Sequence, residues 1–181
     1  FESGMSAIST VLLEFLKPGD ALLYSRPTYG GTDHFIHDYL DRIGVQSIGF
    51  SAGETEEEIM QRVEAAGVGD KVSFIYVETP ANPALGISDL RALSAMCTAR
   101  NVMLACDNTF ATPVLQQPLT LGAGLVVHST TKYIGGHSDL LGGAVVGHAG
   151  DDWLADVDTF RTRAGASPSA FDCWLLSRSL C

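Results

Sequence analysis

Basic residues are scarce in this sequence. Its 181 residues include 11 lysines and arginines against 21 aspartates and glutamates, which gives a formal net charge of -10 at pH 7. Nucleic acids and anionic membrane surfaces are bound by clustered basic side chains that neutralise phosphates. The charge balance therefore argues against both kinds of partner, while it leaves room for a local site that binds a single phosphate.

Long hydrophobic runs are also missing. A helix that crosses a bilayer needs about 20 consecutive apolar residues, and the sequence has no such run. The residues from Phe1 to Gly4 have neither the basic start nor the cleavage site of a secretory signal peptide. We therefore expect a cytoplasmic protein without a membrane partner. Because the sequence lacks a starting methionine and stops directly after a helical pattern, we also expect it to be part of a longer chain.

Cysteine is present, but not in a metal-binding arrangement. The four cysteines, Cys97, Cys106, Cys173 and Cys181, form no C-x-x-C pair and show no histidine spacing typical of a zinc site. We interpret them as buried free thiols. The sequence predicts no metal site.

Short apolar runs alternate with amphipathic stretches along the chain. Helices are predicted over residues 5–16, 54–66 and 89–100, the last capped by Ser88, and each precedes an apolar run. This order predicts an α/β fold, with a mainly parallel sheet and helices on both faces. Ligands of such folds usually bind at the carboxyl ends of the strands. Buried strands are predicted over residues 21–24, 72–77, 102–106, 125–128 and 144–146.

A carboxylate follows one of these predicted strands. Asp107 comes directly after the run 102–106, and a carboxylate buried at the end of an apolar strand needs a partner. It can cap the next turn, or it can pair with a cationic atom of a ligand. The sequence leaves both readings open.

Three hydroxyl side chains and a lysine follow the strand at 125–128. Lys132 is one of three lysines, and the other two, Lys17 and Lys71, lie at a helix end and in a polar turn. Lys132 is thus the candidate for a desolvated, reactive amine, with a surface lysine as the alternative. Ser129 and Thr131 offer hydroxyls beside it.

Three further segments place polar groups at the same predicted edge. Gly4 and Met5 open the first helix, whose free N–H groups can bind an anion, although an ordinary helix cap has the same sequence. Tyr29 follows the run 21–24, where its ring can stack on a ligand or pack on the surface. Asn82 follows the run 72–77 as a ligand contact or as a turn residue before proline.

Together the segments offer an anion site, an aromatic face, an amide, a carboxylate, and hydroxyls beside a lysine. Pyridoxal phosphate (PLP) has a phosphate, a ring, a phenolic oxygen, a pyridine nitrogen and an aldehyde that suit these groups one by one. We therefore predict PLP as the cofactor.

The motifs closely resemble those of the Cys/Met-metabolism family of fold-type I PLP-dependent enzymes. The resemblance covers essentially the whole chain and is most specific over residues 128–139, HSTTKYIGGHSD, with support from 29–32, 78–83 and 107–110. It implies that residues 1–181 are the central part of a large PLP-binding domain. An N-terminal segment and a small carboxyl-terminal domain are then absent from this chain.

The resemblance also implies a role for each candidate residue. Lys132 would hold the cofactor aldehyde as a Schiff base and act as the catalytic base. Tyr29 would stack on the ring and is a candidate for proton transfer to the leaving group, and Asp107 would pair with the pyridine nitrogen. The remaining contacts would be Asn82 at the phenolic oxygen, Gly4, Met5, Ser129 and Thr131 at the phosphate, and Thr109 in support.

The family implies a C–S lyase or γ-replacement enzyme of sulfur amino-acid metabolism with a small amino-acid substrate. Gly31 stands where some methionine γ-lyases carry cysteine, and residues 164–173 look more like the cystathionine enzymes. The cystathionine γ-synthase or γ-lyase type is therefore favoured over methionine γ-lyase and cystathionine β-lyase. A homotetramer of two tight dimers is implied for the full-length protein. A fragment that binds the cofactor without turnover is the alternative of another class.

Other enzyme classes find less support. Gly122-Ala123-Gly124 lacks the third glycine and the strand-to-helix placement of a dinucleotide-binding motif. Ser138 lacks the second glycine of a nucleophile elbow. His128 and His137 do not have the spacing of a zinc hydrolase.

Overall fold

A six-stranded sheet organises the chain, whose computed structural model describes residues 1–180. The strands lie in the order β2-β1-β3-β4-β5-β6. Strands β1 to β5 run parallel, and β6 is antiparallel to β5. The predicted α/β class with a mainly parallel sheet is confirmed. The strands are β1 (Ala21–Arg26), β2 (Gln46–Ser51), β3 (Val72–Glu78), β4 (Met103–Asp107), β5 (Leu125–Ser129) and β6 (Gly143–Val146).

Helices connect the strands and cover the sheet. None of the helices in the described part of the chain is long and apolar enough to cross a membrane. The α-helices are α1 (Gly4–Phe15), α2 (Gly30–Phe35), α3 (Glu56–Ala65), α4 (Leu90–Arg100), α5 (Thr112–Leu115), α6 (Asp152–Ala164) and α7 (Ala170–Ser179).

The sheet separates two apolar clusters, because successive residues of a strand point to opposite faces. In β3, Phe74 and Tyr76 pack into the cluster that contains residues of α1 and α6. Ile75 and Val77 pack into the cluster that contains residues of α3 and α4. The chain therefore has helices on both faces of the sheet, as predicted.

Caps fix the starts of the helices on the second face. At α3, the Thr55 side chain accepts a hydrogen bond from the Glu58 N–H, and the Glu58 carboxylate accepts one from the Thr55 N–H. At α4 the predicted cap is wrong by one residue: Asp89, not Ser88, accepts from the N–H groups of the first turn. An ionised carboxylate forms stronger hydrogen bonds with helix N–H groups than a hydroxyl does.

Several elements have no counterpart in the sequence prediction, among them β2, α2, the segment that follows α2, α5 and α6. The edge strand β2 carries polar and partly exposed residues, so it shows no apolar run. Helix α2 and the π-helical segment Ile36–Leu40 that follows it contain Gly30, Gly31 and several polar residues, which weaken any helical pattern. These three segments depend on their neighbours in the fold more than on their own composition.

The cysteine prediction is partly wrong. Cys97 and Cys106 are buried free thiols, as expected, but Cys173 is an exposed free thiol on α7. Cys181 lies outside the described residues. Burial of Cys97 raises the pKa of its thiol to about 12, so it stays protonated at neutral pH.

The packing of α1 on the sheet predicts a contrast between adjacent leucines. Leu12 is fully buried, whereas Leu13 is 37% exposed. Leu12→Ala should lower the free energy of unfolding by about 2–5 kcal/mol, because it removes apolar contacts and leaves a cavity. Leu13→Ala is the matched control and should cost less than about 1 kcal/mol. Urea unfolding measures both values, and equal losses would contradict this account of the core.

Candidate active site

A cavity of about 560 Å³ opens at the edge of the sheet where the parallel strands end. The ends of β3, β4 and β5, the start of α1 and the turn after β5 all contribute to its wall. The structure thus brings together every residue that the sequence analysis assigned to the cofactor or to catalysis. They are Gly4, Met5, Tyr29, Asn82, Asp107, Ser129, Thr131 and Lys132.

Asp107 is the buried acid of the cavity and is only 5% exposed. Its Oδ2 accepts a hydrogen bond from the Tyr76 hydroxyl at 3.1 Å. Its Oδ1 accepts from the Thr109 N–H at 3.0 Å and from the Thr109 hydroxyl at 2.6 Å. Asp107 therefore caps the next turn, which was one of the two readings, and it still lines the cavity.

The environment of Asp107 raises the pKa of its carboxyl group. Burial raises its pKa to about 6, the hydrogen bonds from Thr109 oppose this rise, and the nearby Glu78 carboxylate adds to it. Within residues 1–180 no basic side chain forms an ion pair with Asp107. A cationic ligand atom would supply the missing opposite charge.

Unpaired N–H groups line the cavity at the start of α1. The Ser3 side chain accepts from the Ser6 N–H, and the Ser3 carbonyl accepts from the Ala7 N–H. The N–H groups of Gly4 and Met5 therefore remain without a partner in the described part of the chain. Such groups at a helix start attract an anion.

The start of α1 lies directly against the end of β5. A Cβ atom on Gly4 would lie 2.6 Å from the Cβ of Ser129, so only glycine allows this approach. The Ser129 hydroxyl makes no hydrogen bond with residues 1–180. The Thr131 hydroxyl, in contrast, already donates to the Gly142 carbonyl and accepts from the Gly142 N–H, at 3.2 and 3.0 Å. Of the two predicted phosphate hydroxyls, only that of Ser129 is available without rearrangement.

Lys132 lies in the turn after β5 and lines the cavity. The expectation of a desolvated amine is wrong for this chain, because Lys132 is exposed. The turn lies beyond the end of the strand, and no described element covers it. The Lys132 ammonium forms no ion pair within residues 1–180.

Helix α7 holds the loop that carries Lys132. The Ser179 hydroxyl donates to the Gly135 carbonyl at 2.7 Å. The Arg178 guanidinium donates to both carboxylate oxygens of Asp139, at 2.9 and 3.2 Å. Two residues from one turn of α7 therefore bind the loop that carries Lys132.

Glu78 is a charged cavity residue to which sequence reasoning gave no role. It ends β3 and is 6% exposed. Its carboxylate accepts hydrogen bonds from the N–H groups of Tyr29 and Asn82, both at 2.7 Å. The signal was present in the sequence, because Glu78 follows an apolar strand just as Asp107 does.

The rival readings have no matching geometry. Gly122 and Gly124 follow a 3-10 turn and precede β5, so they do not join a strand to a helix. Among residues 1–180 no group of three or more histidine, cysteine or acidic side chains could hold a metal ion. Ser138 forms no hydrogen bond with a histidine in that part of the chain.

The fold and the site define an α/β domain with a ligand cavity at the carboxyl ends of its parallel strands. The family model described as "Cys/Met metabolism PLP-dependent enzyme" matches residues 1–181. The chain therefore belongs to this family, and its fold is that of the fold-type I PLP enzymes.

Several relatives have nearly the same percentage of sequence identity to this chain. Cystathionine gamma-synthase of Mycobacterium tuberculosis is 41% identical over 181 residues, and cystathionine gamma-lyase of Bacillus subtilis is 40% identical over 180 residues. Each alignment covers 99% of this chain and 45% of the relative. The crystal structure of metB from Corynebacterium glutamicum is 42% identical with a TM-score of 0.90, over 99% of this chain and 45% of that one. The chain spans about half the length of the curated relatives it matches.

The cavity fits the cofactor of this family. Along the sheet edge, Glu78 and Asp107 are buried carboxylates without a basic partner in residues 1–180. Farther along, the Gly4 and Met5 N–H groups and the Ser129 hydroxyl are donors without a partner there. A ligand such as PLP would supply a protonated ring nitrogen as the missing opposite charge for Asp107 and a phosphate as the missing acceptor for these donors.

The raised pKa of Asp107 predicts how a neutral replacement changes stability. Without cofactor, Asp107→Asn should raise the free energy of unfolding at pH 8 by up to about 3 kcal/mol, because it removes a buried charge. This gain in the free energy of unfolding should shrink as the pH falls from about 6 to below 4. In that range the Asp107 carboxylate of the folded wild-type protein binds a proton at a higher pH than it does in the unfolded chain. Urea unfolding at several pH values measures the gain. Asp70→Asn, at an exposed turn, is the control, and a pH-independent loss at Asp107 would contradict the prediction.

Proposed function

We propose that the protein containing this chain is a PLP-dependent C–S lyase or γ-replacement enzyme of sulfur amino-acid metabolism. The observation that carries the proposal is the convergence of Lys132, Asp107 and the start of α1 on one cavity in a chain of the Cys/Met-metabolism family. The substrate is a small amino acid such as cystathionine or a homoserine ester.

The proposed binding roles are those that the family resemblance implies, and each of the residues lines the cavity. Asp107 holds a proton on the pyridine nitrogen, and the charge of that nitrogen keeps Asp107 ionised. Asn82 contacts the phenolic oxygen, and the Tyr29 ring stacks on the cofactor. The phosphate is bound by the N–H groups of Gly4 and Met5 and by the hydroxyls of Ser129 and, after it leaves Gly142, Thr131.

The proposed catalytic roles belong to Lys132 and Tyr29. PLP, when bound, supplies the electron sink that stabilises a carbanion at the substrate Cα. The Lys132 Nζ would take the proton from Cα, pass it on to the bound cofactor, and then, as a neutral amine again, take a second proton from Cβ. Tyr29, 46% exposed at the mouth of the cavity, gives a proton to the leaving group.

The space around Gly31 supports the cystathionine γ-synthase or γ-lyase type. A Cβ on Gly31 would lie 2.6 Å from the Cε1 atom of Tyr29 and 3.1 Å from the Met5 sulfur. A cysteine there, as in some methionine γ-lyases, would displace the Tyr29 ring. Methionine γ-lyase and cystathionine β-lyase remain the alternatives. The similar identities to a synthase and a lyase, 41% and 40%, do not separate these two types.

A second candidate is that this chain alone binds the cofactor without turnover. The exposure of Lys132 supports it, because a base that works on Cα needs a site from which water is excluded. In this account residues 1–181 are the central part of the large PLP-binding domain, and an N-terminal segment and a carboxyl-terminal small domain complete the site.

Assembly and location are further parts of the proposal. Large apolar side chains are exposed near the cavity and on α7, among them Tyr133, Phe171 and Trp174, each 65–66% exposed. Such a surface is typical of a protein interface. It supports the association of this face with another protein surface, and we propose a homotetramer of two tight dimers that acts in the cytoplasm. Sedimentation equilibrium of the complete protein tests the assembly.

The lysine assignment predicts a coloured, reducible complex. The complete protein mixed with PLP should show a visible absorbance band that borohydride removes, with the pyridoxyl label on the peptide of Lys132. Lys132→Ala should lose both the band and turnover of cystathionine, because no other amine of residues 1–180 lines the cavity. Lys71→Ala, at an exposed position outside the cavity, should keep them. A label on another lysine would refute the assignment, and a band without turnover would favour the second candidate.

A further inference from the structure

Glu78 is a buried carboxylate that contacts two separate loops. Its Oε2 accepts from the Thr28 hydroxyl at 2.6 Å and from the Tyr29 N–H at 2.7 Å. Its Oε1 accepts from the Asn82 N–H at 2.7 Å. One side chain thus joins the loop after β1 to the loop after β3.

These hydrogen bonds stabilise the buried charge of the Glu78 carboxylate. Glu78 is 6% exposed, and no basic side chain in residues 1–180 pairs with it. A buried carboxylate without a cation depends on several donors, and bonds to an ionised acceptor are about twice as strong as neutral ones. Both loops must therefore keep their N–H groups aimed at Glu78.

The side chains of Tyr29 and Asn82 have no such support of their own. Neither makes a side-chain hydrogen bond with residues 1–180, and the Tyr29 ring is 46% exposed. Both line the cavity, together with Glu78. Their positions are therefore set through their backbones, and both backbones are bound by Glu78.

We propose that Glu78 is a positioning residue, whose carboxylate holds Tyr29 and Asn82 at the positions from which they contact the cofactor. The link between the two loops stands on the geometry alone. The consequence for the cofactor rests on the proposed function.

An amide cannot replace this carboxylate. The side chain of glutamine has the same shape but only one oxygen, so its NH₂ group must face either the Asn82 N–H or the Tyr29 N–H. In either orientation two donors meet, and one backbone N–H loses its acceptor inside the protein. Glu78→Gln therefore disconnects one loop without creating a cavity.

The first test is amide hydrogen exchange in the complete, cofactor-free protein, with single-residue resolution by fragmentation mass spectrometry. In Glu78→Gln the amide of Tyr29 or of Asn82 should exchange roughly tenfold faster or more. Glu56→Gln is the matched control, since Glu56 pairs with Arg100 at an exposed site. Unchanged exchange at both amides in Glu78→Gln would overturn the proposal, whatever the protein does with PLP.

The second test uses the holoenzyme and a spectroscopic signature. In Glu78→Gln the visible circular dichroism of bound PLP should change, and kcat should fall more than KM rises, because the ring contacts are misplaced while the substrate still binds. Normal dichroism and kinetics beside altered exchange would overturn the cofactor part alone. A wild-type protein without any PLP band would instead refute the proposed function and leave the loop link standing.

Thr28→Val keeps the inference testable if Glu78→Gln does not fold. This substitution is nearly isosteric and removes only the hydroxyl donor on the Tyr29 side. Faster exchange of the Tyr29 amide is expected, with the Asn82 amide unchanged. Equal exchange of Tyr29 in Thr28→Val and wild type would contradict the proposal.

Discussion

Two buried carboxylates without basic partners govern the structure of this site. Glu78 and Asp107 end adjacent strands and stand directly opposite each other in the register of β3 and β4. Because neither has a cation within residues 1–180, each must collect hydrogen bonds from the segments around it. Thr28, Tyr29 and Asn82 turn toward Glu78, and Tyr76 and Thr109 turn toward Asp107. The conformations of the loops thus follow from the need to accommodate two charges.

The parallel sheet explains why these groups meet at all. Parallel strands place their carboxyl ends at one edge, so residues that are far apart in sequence become neighbours there. The cost of the buried charges is carried by the two apolar clusters on either face, which hold β3 and β4 at the centre of the sheet. A site of this kind depends on a rigid, well-packed scaffold, since the buried Asp107 carboxylate, whose pKa is raised, opposes folding at neutral pH.

Much of this arrangement could be predicted from the sequence, because the central strands are apolar runs that end in polar residues. Asp107 and Lys132 were found in this way. The edge strand β2 and helix α2 were missed, because their composition is polar and tertiary contacts decide their structure. Glu78 was given no role although it ends an apolar strand as Asp107 does, because its hydrogen bonds with Thr28 and Tyr29 join segments that are far apart in sequence. The exposure of Lys132 depends on which segment covers the turn, and the sequence of the turn itself does not reveal that segment.

An acidic chain can still bind a phosphate, because the charge along the sheet edge is not uniform. Both buried carboxylates lie at β3 and β4, whereas the start of α1 lies against β5, where Gly4 brings its N–H groups next to Ser129. The field of a helix start acts over about one turn, and exposed charges farther than about 10 Å are largely screened. The net charge of -10 therefore says little about this point. What matters is the local change from carboxylates to amide groups along the sheet edge, which suits a ligand with a cationic ring and an anionic tail.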